Sequence, residues 1–368
     1  MGRSSGEHPR RTRQTRPVTI RELARAVGVS ETTVSLAFQP HSRIAAATRD
    51  KVRAMARKMG YVPNLAARAL RLGSPNSIGF LVNDIANPFY AFLVRSADLI
   101  ARRRGYQLVI ADSQWDPQRE AEVVENLISS RVRGVIACSS EKSPRTFQAL
   151  AECKVPCIVV DTVPEDYTGG YVANDLAAAG RLAAEHLCEV RCQRLALLTA
   201  GPQMDAFSAL AQLRKGFLAA VGQCGLDAKR VCVVPAGLTI DGGKLGFQRL
   251  MRRAPDCDGV LCVNDLCAVG AMEAADALGI RVGPDVAIMG IDDLDISSTA
   301  RISLTSIRQP SRRMIELAVT ALLDGIENHE SPDVTMLLRP ELIVRNSTRR
   351  MNVAGAERRS GERRGAEK

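Results

Sequence analysis

The chain has 368 residues, of which 46% are hydrophobic and 24% charged, and it carries a net charge of +10. That length exceeds one average domain, so two or three units are expected, with the composition of a soluble globular protein. The first residues have no apolar segment behind their arginines and no apolar run reaches membrane-spanning length, which argues against a secretory signal or a transmembrane helix and predicts a cytoplasmic protein.

Residues 1–17 hold five Arg and one Glu without periodicity. They read as a disordered basic arm, either adding weak phosphate contacts or acting only as a solubilising extension. From Val18 the pattern becomes helical. Thr19 and Glu22 form a capping box, and Ile20, Leu23, Ala24 and Val27 fall on one face. Gly28-Val29-Ser30 breaks this helix, and Ser30 caps a second one, Glu31 to Phe38, with Val34 and Ala37 inward. The spacing Ala24, Gly28, Val34 is that of a helix-turn-helix: a small residue at the helix contact, a glycine free to take positive φ, and a β-branched anchor. A third helix is expected from about Thr48 to Met59, stopped by Gly60. The charge distribution agrees with DNA binding. Residues 18–74 carry ten Lys/Arg against three acids and residues 349–368 seven against three, which leaves 75–348 net acidic. A basic head on an acidic body is the footprint of a nucleic-acid binder, because Lys and Arg release counterions from phosphates.

After this head comes Tyr61-Val62-Pro63-Asn64, the alanine-rich run Leu65-Ala66-Ala67-Arg68-Ala69-Leu70, and Gly73-Ser74-Pro75. The whole order resembles the lactose-repressor (LacI/GalR) family of bacterial transcription regulators, and the resemblance continues to about Arg345. It implies a homodimer on a pseudo-palindromic double-stranded operator, with Leu70 inserted into the minor groove to bend the duplex. Candidate DNA contacts are Thr19, Glu31, Thr32, Thr33, Ser35, Leu36, Asn64, Ala67 and Leu70. Glu31, Thr32 and Leu36 are placed to reach base edges, whereas Thr33 and Ser35 suit phosphates, as Arg43, Thr48 and Arg49 do more weakly. Many relatives carry Arg where this chain has Leu36, so a guanine contact is missing here.

From Asn76 the sequence alternates strands and helices, the mark of parallel βα units. Strands are expected at 77–82, 107–111, 134–137 and 157–160, with helices at 89–104, 118–130 and 144–153 between them. A second series follows: helix 177–188, strand 194–199, helix 206–223, strand 231–234, helix 240–252, strand 259–263, helix 265–278 and strand 287–291. The fold class is therefore an N-terminal all-α helix-turn-helix domain plus an α/β effector domain of two doubly wound parallel-sheet subdomains, like periplasmic binding proteins. The expected divisions are an arm at 1–17, the helix-turn-helix domain at 18–62, a hinge helix and linker at 63–75, an effector and dimerisation domain at 76–347 with crossovers near 172, 305 and 340, and a disordered basic tail at 348–368.

Ligands of open parallel sheets bind beyond the strands' C-terminal ends, so a cleft between the subdomains is the natural site for a small, sugar-like effector. The candidates are Asn83, Asp84, Phe89, Asp161, Asn264, Asp292 and Gln309, with Tyr90 able to stack beside Phe89. Converging carboxylates and amides with an aromatic suit hydroxyl-rich or amine-bearing solutes. Local capping is the competing role for these strand-end residues, and Asp265 is expected to cap its helix. The resemblance implies an effector-gripping arginine five residues before Gly216-Phe217, where this chain has Ala211, with Arg214 nearby on the surface. The ten cysteines include no C-x-x-C pair, and Cys138, Cys157, Cys188, Cys224, Cys232, Cys262 and Cys267 read as small buried apolar residues. No metal, cofactor or enzymatic signature is expected. Two other readings stay open, a constitutive DNA binder that has lost effector response and a pure solute-binding module.

Overall fold

The computed structural model describes residues 18–38, 44–61, 76–139, 144–164, 166–202 and 208–350. The chain divides into two compact units, 1–75 and 76–368.

In the first unit, α1 (Ile20–Val27), α2 (Glu31–Ala37) and α3 (Ala46–Met59) enclose one small core. The capping box forms: the N–H of Glu22 donates to Thr19 Oγ1 at 3.3 Å, and the Glu22 carboxylate accepts the N–H of Thr19 at 2.7 Å. Gly28 ends α1 at φ 77°, a left-handed conformation that glycine adopts without a Cβ clash. The turn then directs Val34 and Ala37 of α2 onto Leu23, Ala24 and Val27 of α1, with Val52 and Ala56 of α3 closing the core. The third helix begins at Ala46, two residues before the expected start.

The second unit holds two six-stranded sheets. In chain order its elements are β1 (Ser77–Val82), α4 (Pro88–Arg103), β2 (Gln107–Asp112), α5 (Pro117–Ser129), β3 (Val135–Ala137), α6 (Pro144–Glu152), β4 (Cys157–Asp161) and β5 (Tyr171–Asn174). There follow α7 (Leu176–Glu189), β6 (Leu195–Thr199), α8 (Ser208–Gln223), β7 (Cys232–Pro235), α9 (Ile240–Arg253), β8 (Gly259–Cys262), α10 (Asp265–Ala277), β9 (Ala287–Ile291) and β10 (Thr305–Arg308). The last elements are α11 (Ser311–Asn328), β11 (Thr335–Leu338) and β12 (Glu341–Ile343).

Strand order in the first sheet is β11-β5-β4-β3-β1-β2, and in the second β12-β10-β9-β8-β6-β7. All pairs are parallel except β12 on β10. Helices cover both faces of such sheets, which is why central strands are continuous apolar runs, and β1 is buried along its whole length. The helices start on short polar caps where the sequence supplies them: Asn87 and Asp116 before Pro88 and Pro117, Asp175, Thr239 and Asn264.

The chain passes between sheets at 174–176, 308–311 and 338–341. After the second passage α11 returns to the first sheet and buries Met314, Ile315, Ala318, Val319, Leu322 and Leu323 against Ile78, Phe80 and Leu93. This 18-residue helix was absent from the sequence-based expectation, although its apolar residues recur at helical spacing. The third passage is fastened where β12 leads into Arg345. That guanidinium donates to Asp293 Oδ1 and to the carbonyl of Leu304, both at 2.6 Å, while Arg308 takes the other oxygen of Asp293 at 2.7 Å. Asp293 is almost fully enclosed, its side chain 5% exposed. Arg345→Ala removes one partner of a buried pair and should cost about 3 kcal/mol of stability. Chemical denaturation checks it, and a loss below about 1 kcal/mol, the range of a surface pair, would contradict the role.

Cysteine burial is mixed. Cys138, Cys192, Cys257, Cys262 and Cys267 are buried, Cys157, Cys188 and Cys232 are half-buried, and Cys224 is exposed, which corrects the buried placement expected for it. Among the described residues no group of three His, Cys, Asp or Glu side chains is placed to hold a metal, and no helix is long and apolar enough to cross a membrane.

Candidate DNA-reading helix and effector cleft

On α2 the inward residues are fixed by the core, so the outward ones follow. Thr32 is exposed, with Ser35 and Leu36 half-buried at i+3 and i+4 on the same face. Ser30 accepts the N–H of Thr33 at 3.1 Å, and the two hydroxyls lie 2.9 Å apart, so Thr33 is tied into the cap. Thr19 likewise spends its hydroxyl on Glu22. Glu31, expected to face a base, is paired with Arg21 of α1 at 3.1 Å. An ion pair this exposed contributes little stability, but it lessens the repulsion a bare carboxylate would meet from phosphates. Arg49 turns one guanidinium nitrogen to the carbonyl of Ile44 at 3.4 Å, and Arg53 holds the carbonyl of Ala37 at 3.0 Å, closing the end of α2. Arg43, Asn64, Ala67 and Leu70 lie outside the described residues.

In the second unit a cavity of about 660 Å3, counted with its open mouth, lies among the C-terminal ends of the strands of both sheets. Its walls include Phe89, Asp161, Asn264, Asp292 and Gln309, five of the seven expected residues. The other two stand behind the wall. Asn83 is fully buried and donates from Nδ2 to the Tyr90 hydroxyl at 3.4 Å. Asp84 accepts the N–H of Ala86 at 2.9 Å and so shapes the turn that leads to α4.

Each wall residue is placed by its strand end. Asp161 (φ 74°) closes β4, and Asp292 (φ 108°) and Asp293 (φ 52°) follow β9, all in left-handed backbone. Such strain for a non-glycine residue costs on the order of 1 kcal/mol and concentrates at ligand sites. The Asp161 carboxylate accepts the Tyr90 hydroxyl at 3.3 Å and the Asn174 amide at 3.0 Å. Burial, followed by the charge of Asp161, raises the Tyr90 phenol well above its ordinary pKa, so Tyr90 remains a donor. Asp292 accepts Nε2 of Gln309 at 2.7 Å. Burial, and then the neighbouring Asp265, push the Asp292 carboxyl well above the usual carboxylate range.

Asn264, not Asp265, caps α10: its Oδ1 accepts the N–H of Cys267 at 2.8 Å while Nδ2 donates to the carbonyl of Leu238 at 3.0 Å. Asp265 is buried one residue on. It accepts the hydroxyls of Ser297 and Ser306, both at 2.6 Å, and the N–H of Leu294 at 2.8 Å, and burial pushes it up to about 6.

The rest of the wall is mostly apolar and aromatic. Phe89 meets Tyr90 edge-on at 5.1 Å, and Tyr90 meets Trp115 at 6.1 Å. Trp115 escaped the sequence reading, although a single tryptophan in the turn after a strand end was a signal. Leu176, Leu210, Leu213 and Leu238 also face the cavity, and nothing in the sequence separates such leucines from core. On α8 the cavity-facing positions are 210 and 213, while Ala211 is exposed. Towards the cavity α8 therefore presents two leucines, and Ala211 does not line it.

Comparison with known proteins agrees with both halves. The family model for bacterial regulatory proteins of the LacI family matches residues 19–64, and that for a periplasmic binding protein-like domain matches residues 184–348. The ribose operon repressor of Escherichia coli strain K12 is 30% identical over 330 residues, covering 89% of this chain and 99% of that one. Among solved structures, a transcriptional regulator CelR–cellobiose complex aligns with TM-score 0.65 at 30% identity, over 90% of this chain and 100% of that chain. The lac repressor dimer bound to operator and the anti-inducer ONPF aligns with TM-score 0.75 at 26% identity, over 90% and 99%. With a helix-turn-helix head, two parallel sheets around a cleft, and kinship over nearly its full length, this chain belongs to the LacI family of bacterial transcription regulators.

Proposed function

We propose that this regulator is a homodimeric repressor, not an enzyme, that reads a pseudo-palindromic operator through Thr32, Ser35 and Leu36 of α2 and is switched by a small solute in the cleft. The carrying observation is the cleft itself: Asp161, Asp292 and Gln309 converge in a largely apolar cavity on a chain whose head is a DNA-binding unit. A constitutive DNA binder would have no need of such a cavity, and a pure solute-binding module would have no need of the head. Among neighbours of known structure, the transcriptional regulator CelR is in complex with cellobiose, and the lac repressor dimer is bound to operator and to the anti-inducer ONPF.

Dimerisation has its own support. Strand β2 is an edge strand with Val109 and Ile110 exposed, and α4 beside it exposes Phe92 and Leu99. An unpaired apolar edge of this kind is suited to a second copy.

Phosphate contacts by Thr33, Glu31 held by Arg21, and the minor-groove role of Asn64, Ala67 and Leu70 complete the proposed DNA contacts. Selection from a random duplex pool with the full chain should return an inverted repeat bound by two chains. Thr32→Ala should then lose about 1–2 kcal/mol of discrimination at one base position in each half-site. Recovery of no consensus, or of a single half-site bound by one chain, would overturn the reading.

A further inference from the structure

Helices α7 and α8 carry the same residue types at the same spacing where they meet. Gly180, Ala184 and Cys188 recur at four-residue steps on α7, and Gly216, Ala220 and Cys224 do so on α8 and one residue past its end. The glycines let the two backbones touch, Gly180 against the carbonyl of Leu213 and Gly216 against that of Ala177. Ala184 and Ala220 are buried in the same seam. The helical course runs on to Cys224, whose N–H donates to the carbonyl of Ala220 at 2.9 Å. At the end of the seam the Cys188 S–H donates to the Cys224 sulfur.

Exposure gives the two sulfurs different roles. Cys224 is exposed and Cys188 half-buried, so an oxidant in solution meets Cys224 first. Burial, then the bond to Cys224, raises the Cys188 thiol to about 12, and at neutral pH it keeps its proton. Cys192, four residues past Cys188, is buried and donates to the carbonyl of Asp258 at 3.3 Å, which holds it away from the pair. Among the described residues no group of three His, Cys, Asp or Glu side chains is placed to hold a metal, so the pair stands as a dithiol. Two thiols in contact at an accessible seam suit a labile, regulatory disulfide rather than a structural one.

We propose that Cys188 and Cys224 are a modification site for a hydroperoxide, which joins them in a reversible disulfide and pins α7 to α8. The Cys224 thiolate attacks one peroxide oxygen: an S–O bond forms, the O–O bond breaks, and the other oxygen takes a proton and leaves as an alcohol or water. The Cys188 sulfur then attacks that of Cys224. An S–S bond forms, the S–O bond breaks, and hydroxide leaves as water with the Cys188 proton. The two thiols lose two electrons and two protons in all, and the peroxide is reduced by two electrons. The pinned helices carry Leu176, Leu210 and Leu213, so the bond restrains one side of the cleft.

The test treats the full chain with hydrogen peroxide, blocks remaining thiols with iodoacetamide and digests with trypsin, which places Cys188 in residues 182–191 and Cys224 in residues 216–229. The two peptides should be recovered joined, and should separate after dithiothreitol. Before digestion, the oxidised chain should melt at least about 5 °C above the same sample after dithiothreitol, because the cross-link restrains the unfolded state. Cys188→Ser and Cys224→Ser should each abolish both the joined peptides and the shift. Recovery of Cys224 as sulfinic or sulfonic acid with no joined peptide would overturn the proposal. So would Cys224 joined to Cys192, to Cys153 or to Cys224 of a second copy. Joined peptides without a rise in melting temperature would equally overturn it, since the bond would then not close across a seam already formed.

Discussion

Val34→Asp is expected to abolish operator binding while the ligand-binding unit keeps its own melting transition. Val34 is fully buried in a small core that, among the described residues, has seven buried members, Leu23, Ala24, Val27, Val34, Ala37, Val52 and Ala56. A carboxylate placed there finds no partner, at a cost of at least about 3 kcal/mol. So small a unit has little stability to lose, since surface outweighs core at this size. The ligand-binding unit is built on separate clusters around Ile78 and Phe80, Leu197 and Phe217, and Ala196 and Phe247. Circular dichroism melting with a DNA-binding assay checks both halves of this expectation. Full operator affinity in the variant would mean that the α1–α2 packing is not what presents the reading face.

The second large effect is a contrast within one helix. Gly216→Ala should destabilise the protein by about 3 kcal/mol, because overpacking against a backbone that cannot retreat costs in that range. A Cβ at Gly216 would lie 2.1 Å from the carbonyl oxygen of Ala177 on α7, and one at Gly180 would lie 2.1 Å from that of Leu213. The two helices thus meet through reciprocal glycines, which also sets Leu210 and Leu213 at the cavity wall. Gly222 is on the same helix with nothing within 4 Å of its would-be Cβ. Gly222→Ala should stabilise by up to about 1 kcal/mol through helix propensity alone. Denaturant midpoints of the two variants should move in opposite directions. Equal movement would show that the close approach of α7 and α8 is not structural.

The helix-turn-helix was legible because its signals are local: a capping box at Thr19 and Glu22, a positive-φ glycine at 28, and a β-branched anchor at Val34. The parallel sheets were legible for a related reason, since strands buried on both faces read as apolar runs between capped helices. What escaped depends on contacts distant in sequence. Helix α11 belongs to the first sheet although it follows the second, and its place is set by packing against Ile78 and Phe80. At the cleft, strand-end polarity pointed to Asp161 and Asp292, and a crossover position to Gln309, but the strand-end rule also named Asn83 and Asp84, which lie behind the wall. Polarity at a strand end marks neighbourhood, and only the neighbours' hydrogen bonds decide whether a side chain is spent, as with Asn264, or left facing the cavity, as with Gln309. The assignment of the α10 cap to Asp265 failed by one residue for the same reason: Asn264 and Asp265 are equivalent as sequence, and the serines at 297 and 306 separate them.

The most direct test is an anisotropy titration of the selected operator with the full chain, alone and at saturation of a solute found to raise the melting temperature. By linkage, a change in operator affinity must be matched by an equal change in ligand affinity when operator is bound. The expected result is a shift of operator affinity by at least about tenfold, within the usual range of such couplings, with the same factor in the reverse experiment. Unchanged operator affinity with the cleft saturated would contradict the proposal that the solute governs the grip on DNA.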